Sequence, residues 1–326
     1  MSKETSTVSH LFDVMSTDQG DITETTGEHG VTSSPSRGAE LYFTYFVIVI
    51  GLIGTVSNGL VLYALVASKQ HKKHELIVNQ NALDLYSCLF LFITYGLRLF
   101  NIQLTGSLGY WLCMLLFSQS LLASGLFASW INLMVISIER YLKIVYPTWS
   151  KKKLRKWMTY AAIACVWISG FVNEMANVFQ TSAVIDGVCY GYVIVKTRES
   201  RLAIALYYFV FSYVLVLLIL TFCYGKILMV IRRQARVMAS HSTTGSSTAS
   251  QAQSSKIQSS LIKTMILVCV FYALAWLPEK IYILFIALDV SLNLLDSGYY
   301  ATIGLGFLYI CTNLHIIPVY TWMILG

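Results

Sequence analysis

Between Leu99 and Ser137 the chain has no Asp, Glu, Lys, Arg or His, and only 12% of its 326 residues are charged. An ordinary soluble domain carries about 25%. With a mean hydropathy of +0.64, the composition excludes such a domain and points to a bilayer. Proline is scarce, at four residues. The seven cysteines show no metal-ligand spacing: Cys88, Cys165, Cys223, Cys269 and Cys311 are scattered inside apolar segments, where small buried thiols are common. No Asn opens an N-x-Ser/Thr acceptor, which excludes the usual N-linked glycan. Residues 1 to 40 lack an apolar run long enough for a signal-peptide core, so the first apolar segment has to direct insertion itself. Rich in Ser, Thr, Gly and acids, those residues read as a disordered extracellular tail.

What the chain does have is apolar segments long enough to cross a membrane, which takes about 20 residues as a helix. Seven qualify: Leu41 to Ala67, Leu76 to Leu97, Trp111 to Ile138, Trp157 to Ala176, Leu202 to Ile231, Leu261 to Leu288 and Tyr299 to Leu325. Short cytoplasmic loops retain an excess of Lys and Arg. Sixteen of the 23 basic residues fall between spans one and two, three and four, or five and six, or at the adjoining span ends, among them Lys69, Lys151, Arg155, Arg232 and Lys263. The amino-terminal tail instead sets seven acids against Lys3 and Arg37. These counts predict an all-α, seven-transmembrane-helix bundle in the cell membrane, with its amino terminus outside. The net charge of +7 is thus a topology signal, and no nucleic-acid partner is expected. The expected organisation is a tail at 1–40 and a seven-span domain at 41–326, with a flexible, low-complexity third cytoplasmic loop at 237–257. Cys113 and Cys189 lie on the outer side, where the compartment favours a disulfide. Around Cys189, two β-branched runs flank Asp186-Gly187, a strong signal for a short β-hairpin.

The stretch SIERYLKIVYP, residues 137–147, sets Glu139 and Arg140 at the inner edge of the charge-free segment. An Arg there either snorkels into the headgroups or takes part in a switch. Asn58 lies in span one, Asp84 in span two, Trp167 in span four and FYALAWLP, 271–278, in span six. In this order and spacing the chain resembles the rhodopsin-like (class A) family of G-protein-coupled receptors, from about Leu41 to its end. Glu139, Arg140 and Tyr141 match the family's Asp/Glu-Arg-Tyr motif. The resemblance implies that Arg140 is held by its neighbouring acid at rest and receives the G protein when helix six swings outward. Many members carry a second acid, eighteen residues before Trp276, that clasps this Arg. Here that position is Gln258, and no Asp or Glu occurs from Ser200 to Pro278, so Arg140 is expected to be loosely restrained.

Trp276 and Pro278 match the family's toggle Trp and kink Pro, Tyr224 matches its helix-five Tyr, and Pro318 matches its helix-seven Pro. Tyr272 stands in place of Phe, Val216 in place of the helix-five Pro, and Ile317 and Thr321 in place of the helix-seven Asn and Tyr. Asp84, Ser129 and Asn313 match a sodium pocket, which makes sodium the one cofactor to expect. The alternative is a protonated Asp84 hydrogen-bonded between helices. The resemblance also implies a Cys113–Cys189 disulfide, although Cys113 lies 27 residues before Arg140, two more than is usual in the family.

Ligand class is less legible. Leu122 stands where amine receptors carry Asp, and Cys311 where opsins carry the retinal Lys, which argues against both ligands. Glu279 and Lys280, one turn outside Trp276, with Arg98 and Glu174 near the outer ends of spans two and four, point to a polar ligand, zwitterionic or peptide. Snorkelling or mutual pairing is the competing reading. The resemblance implies an extracellular ligand, a heterotrimeric G protein and, as a further inner partner, arrestin, with no enzymatic activity. A transporter or channel is the alternative, but it calls for broken helices at the midplane or inverted repeats.

Overall fold

The computed structural model describes residues 35–69, 71, 74–100, 102–190, 197–241, 249–288, 290 and 295–311. Among the described residues, six helical segments are long and apolar enough to cross a membrane. Span one is Pro35–Ala67, span two Glu75–Arg98 and span four Lys156–Thr181. Span three comprises Gly106–Leu112, a π turn at Cys113–Phe117 and Ser120–Val145. Span five comprises Arg198–Tyr208, a π turn at Phe209–Val214 and Leu215–His241, and span six is Ala249–Ala287. A shorter apolar helix, Leu295–Cys311, begins span seven. Span three is central, packing on spans two, four and five, while span seven closes the bundle against one and six.

Two boundaries differ from expectation. Helix begins at Pro35 rather than near Leu41, and helical backbone enters the expected flexible loop from both sides, through His241 and again from Ala249. Extending an existing helix costs far less than nucleating one, and Ala249, Gln251, Ala252 and Gln253 are tolerant of it.

Span three is not the continuous helix its hydropathy predicts. Gln119 adopts a left-handed φ of 63° immediately after the π turn, and this break takes up extra chain between Cys113 and Arg140. Backbone carbonyls freed inside a bilayer need partners. Ser120 Oγ donates to Met114 O at 2.5 Å, Thr94 Oγ1 to Leu116 O at 3.4 Å and Arg98 Nη2 to Phe117 O at 3.2 Å.

The outer hairpin is as expected. Strands β1 (Ala183–Ile185) and β2 (Val188–Tyr190) pair antiparallel, with Val184 opposite Cys189. Asp186 and Gly187 turn with φ of 51° and 80°, the double positive φ of a type I′ turn. Cys189 bonds Cys113 with a Cα separation of 5.3 Å, tying the hairpin to the top of span three. Leu104 N donates to Gly187 O at 2.9 Å and seats the turn on the preceding loop.

Candidate functional site

At the inner end of span three, Glu139 pairs with Lys143 one turn further on, at 2.6 Å. The expected Glu139–Arg140 pair is not made, and Arg140 has neither ion pair nor hydrogen bond among the described residues. It lines a shallow cleft with His74, Glu139, Lys143 and Arg155, and no side chain of span six among the described residues reaches it. Tyr141 packs on Phe222 and edge-on against Tyr146. One turn deeper, Ser137 Oγ donates to the Tyr224 hydroxyl at 3.1 Å, joining spans three and five. The side chain of Gln258 lies outside what the structure describes.

The middle of the bundle holds an aromatic cluster around Trp276. Trp276 is buried against Trp130 at 5.1 Å, nearly perpendicular to it. Span seven approaches closely because Gly306 has no side chain: a Cβ there would lie 2.9 Å from the indole. The π turn of span five and the proline of span six disturb backbone pairing at this level, and two tyrosines reach carbonyls there. The Tyr272 hydroxyl donates to Ser212 O, inside the span-five π turn, while the Tyr213 hydroxyl donates to Ala273 O at 2.9 Å. Ala273 adjoins Leu274, whose carbonyl loses its helical donor to Pro278. Tyr272 in place of Phe therefore has a structural partner, and span five forms its irregular turn with Val216 in place of Pro.

Asp84 belongs to a polar chain buried between spans two, three and four. Trp167 Nε1 donates to Asn79 Oδ1 at 2.9 Å, and Asn79 Nδ2 to Asn132 Oδ1 at 3.0 Å. Asn132 Nδ2 donates to Gln80 Oε1 at 2.9 Å and to Leu76 O at 3.1 Å. Gln80 Nε2 then donates to Asp84 Oδ1 at 3.1 Å and to Ser129 Oγ at 2.5 Å, and Ser129 Oγ donates to Asp84 Oδ1 at 3.1 Å. The structure thus brings together Asp84 and Ser129, two members of the expected pocket. Asn313, the third, and Pro318 lie outside the described residues, with Ile317 and Thr321.

In the outer half, Lys280 is only 5% exposed. Its Nζ meets Glu279 Oε2 at 3.0 Å and lies 4.9 Å from the Trp130 ring and 5.5 Å from the Trp276 ring. The two neighbours pair with each other, as the competing reading has it, because both stems are long enough to fold back. Glu174, also buried, accepts from Tyr208 Oη at 3.0 Å and Asn173 Nδ2 at 2.8 Å. Arg98 is engaged with the Phe117 carbonyl and lies over the Tyr95 ring, which gives it a role in the break of span three. Leu122 is packed in the core. The Cys311 thiol rests 3.6 Å from that of Cys88.

Gln80, Asn79, Asn132, Tyr213 and Trp130 escaped the sequence reading. The signal for the first three was present, since an amide inside an apolar span needs a partner and Gln80 is one turn before Asp84 on the same helix face.

The profile of the family described as "7 transmembrane receptor (rhodopsin family)" matches residues 57–313. Melanopsin-B of Gadus morhua is 26% identical over 252 residues, 74% of this chain and 39% of its own length. The galanin receptor type 1 of Homo sapiens is 25% identical over 256 residues, covering 75% of this chain and 68% of that receptor. The melanin-concentrating hormone receptor 1 of Rattus norvegicus is 26% identical over 304 residues, covering 86% and 79%. The chain spans about two fifths of the length of the two Gadus morhua melanopsins it matches, at 39% and 42%.

Proposed function

Because the chain belongs to the rhodopsin family of seven-transmembrane receptors, we propose that it is a multi-pass cell-membrane receptor that converts binding of an extracellular ligand into activation of a heterotrimeric G protein. The observation that carries this reading is Arg140. It stands at the basic, inner mouth of the bundle with no ion pair or hydrogen bond among the described residues. A partner that inserts from the cytoplasm meets a donor fork ready to bind it. Arrestin would use the same face. Activation is a population shift between two packings of span six, with Pro278 as the bend and Trp276 as the contact that senses the outer cavity.

The ligand reading rests on Lys280. Its buried ammonium is shared between Glu279 and two indole faces, within the field of Glu174, and a ligand carboxylate would compete with Glu279 for it. Relatives named for galanin and for melanin-concentrating hormone support a hormone-like, polar or peptide ligand. The likeness to melanopsins does not extend to a retinal Schiff base, because Cys311, buried against Cys88, offers no amine.

The test is nucleotide exchange on purified heterotrimeric G proteins by the reconstituted chain, with electrical and flux recordings on the same vesicles. The reading expects exchange that Arg140→Ala abolishes at equal incorporation. Ion or solute flux without exchange would establish the transporter alternative.

A further inference from the structure

We infer that the amide of Gln80 takes the place of a sodium ion beside Asp84, and that this chain does not use the cation its family pattern implies. The argument is one of donors and acceptors. A cation needs oxygen lone pairs aimed at it, whereas the side chain aimed between Asp84 and Ser129 ends in an NH2 group. Its two protons reach Asp84 Oδ1 at 3.1 Å and Ser129 Oγ at 2.5 Å. Ser129 turns its own proton to the same Asp84 oxygen at 3.1 Å. The inner surface of this triangle is therefore lined by N–H and O–H groups, and a cation bridging Asp84 and Ser129 would sit against the positive end of an amide.

An amide can be turned over, which would present Gln80 Oε1 as a cation ligand, so its orientation decides the matter. Two fixed groups determine it. The indole of Trp167 can only donate, so its 2.9 Å bond makes the facing atom of Asn79 the oxygen. Asn79 must then donate to Asn132 Oδ1, and Asn132 is left to donate with Nδ2. The carbonyl of Leu76 can only accept, and it sets the same orientation of Asn132 independently, at 3.1 Å. Gln80 consequently accepts with Oε1, at 2.9 Å, and presents Nε2 to Asp84. Turning Gln80 over would set two oxygens, Gln80 Oε1 and the Asp84 carboxylate, face to face and set its NH2 against the Asn132 NH2. The relay ties spans two, three and four in one polarity, and the amide supplies from within the protein the positive charge density that a cation supplies from solution.

The experiment needs neither ligand nor G protein, so its outcome is independent of the receptor reading. The purified chain in nanodiscs is melted in sodium, potassium and choline chloride at equal ionic strength. The inference expects one melting temperature in all three salts. A higher value in sodium, removed by Asp84→Asn, overturns it. Gln80→Leu removes the amide and is expected to make the melting temperature rise selectively in sodium, with broadening of the sodium NMR line that Asp84→Asn reverses. Absence of both effects in a folded Gln80→Leu protein overturns the assignment to Gln80. Should Gln80→Leu not fold, Gln80→Glu keeps the length and puts a second carboxylate beside Asp84. At mildly alkaline pH it is expected to acquire the same sodium selectivity, and failure to do so is equally contrary.

Discussion

Glu139 pairs with Lys143, at 2.6 Å, rather than with its neighbour Arg140, which has no ion pair among the described residues. The family's resting clasp has two acids, and this chain provides neither: one is occupied by a lysine and the other position is Gln258. An exposed pair of this kind contributes roughly 0.2 to 1 kcal/mol, whereas hydrogen bonds to charged groups reach about 1.5 to 3. Loss of such a clasp is worth about tenfold in the active fraction, since about 1.4 kcal/mol is a factor of ten. Measurable basal exchange is therefore expected. Gln258→Glu should lower it, and so should Lys143→Met, which releases Glu139 to hold Arg140. Basal activity that rises in either variant, measured as ligand-free nucleotide exchange at equal surface expression, contradicts this.

A second restraint works in the opposite direction. Spans five and six are held by reciprocal tyrosines, Tyr272 to Ser212 O and Tyr213 to Ala273 O. Outward movement of span six has to break both. Interhelical hydrogen bonds in membranes contribute on average about 0.6 kcal/mol, with a maximum near 1.7. Tyr272→Phe, which restores the family's residue, is expected to raise ligand-free exchange by roughly three- to fifteen-fold. Tyr213→Phe should act in the same direction. If both variants leave basal exchange and melting temperature unchanged, the tyrosines are passive in the switch.

These two restraints show where sequence reading stops. Hydropathy and the Lys/Arg asymmetry were sufficient for spans one to six, because a bilayer imposes length and charge rules on each segment separately. Asp186-Gly187 was enough for the hairpin for a similar reason, since two consecutive positive φ angles favour those residues. Pairing across helices was not legible. Which carbonyl Tyr272 reaches, or that Gln80 faces Asp84 through a relay starting at Trp167, depends on the rotation of three helices at once. The π turn at Cys113–Phe117 left only an indirect trace, a Cys two residues too far from Arg140.

The Cys113–Cys189 bond closes a separation of 76 residues and fixes the hairpin over the outer face. A disulfide is worth typically about 2 to 4 kcal/mol, and chain entropy alone gives about 4.5 kcal/mol for a loop of that size. Cys113→Ser and Cys189→Ser should each lower the melting temperature of the purified chain, and the double variant should fall no further, because one bond is lost in every case. Double-variant losses that equal the sum of the singles would mean that the thiols act separately.

Lys280 and Glu279 test the ligand reading. Lys280 Nζ sits 3.0 Å from Glu279 Oε2 and within 5.5 Å of two indole rings, at 5% exposure. Removing one partner of a buried pair strands the other charge and costs about 3 to 5 kcal/mol, whereas removing both is often close to neutral. Glu279→Gln and Lys280→Met are therefore expected each to lower the melting temperature, and the double variant to recover much of the loss. A ligand carboxylate that displaces Glu279 would stabilise the Glu279→Gln protein more than the wild type, because it meets a cation that keeps only the more distant carboxylate of Glu174 as an internal competitor. Screening carboxylate-bearing compounds and peptides by thermal shift against both proteins reads this directly. Ligands that stabilise Lys280→Met as strongly as the wild type would return Lys280 to a purely structural role.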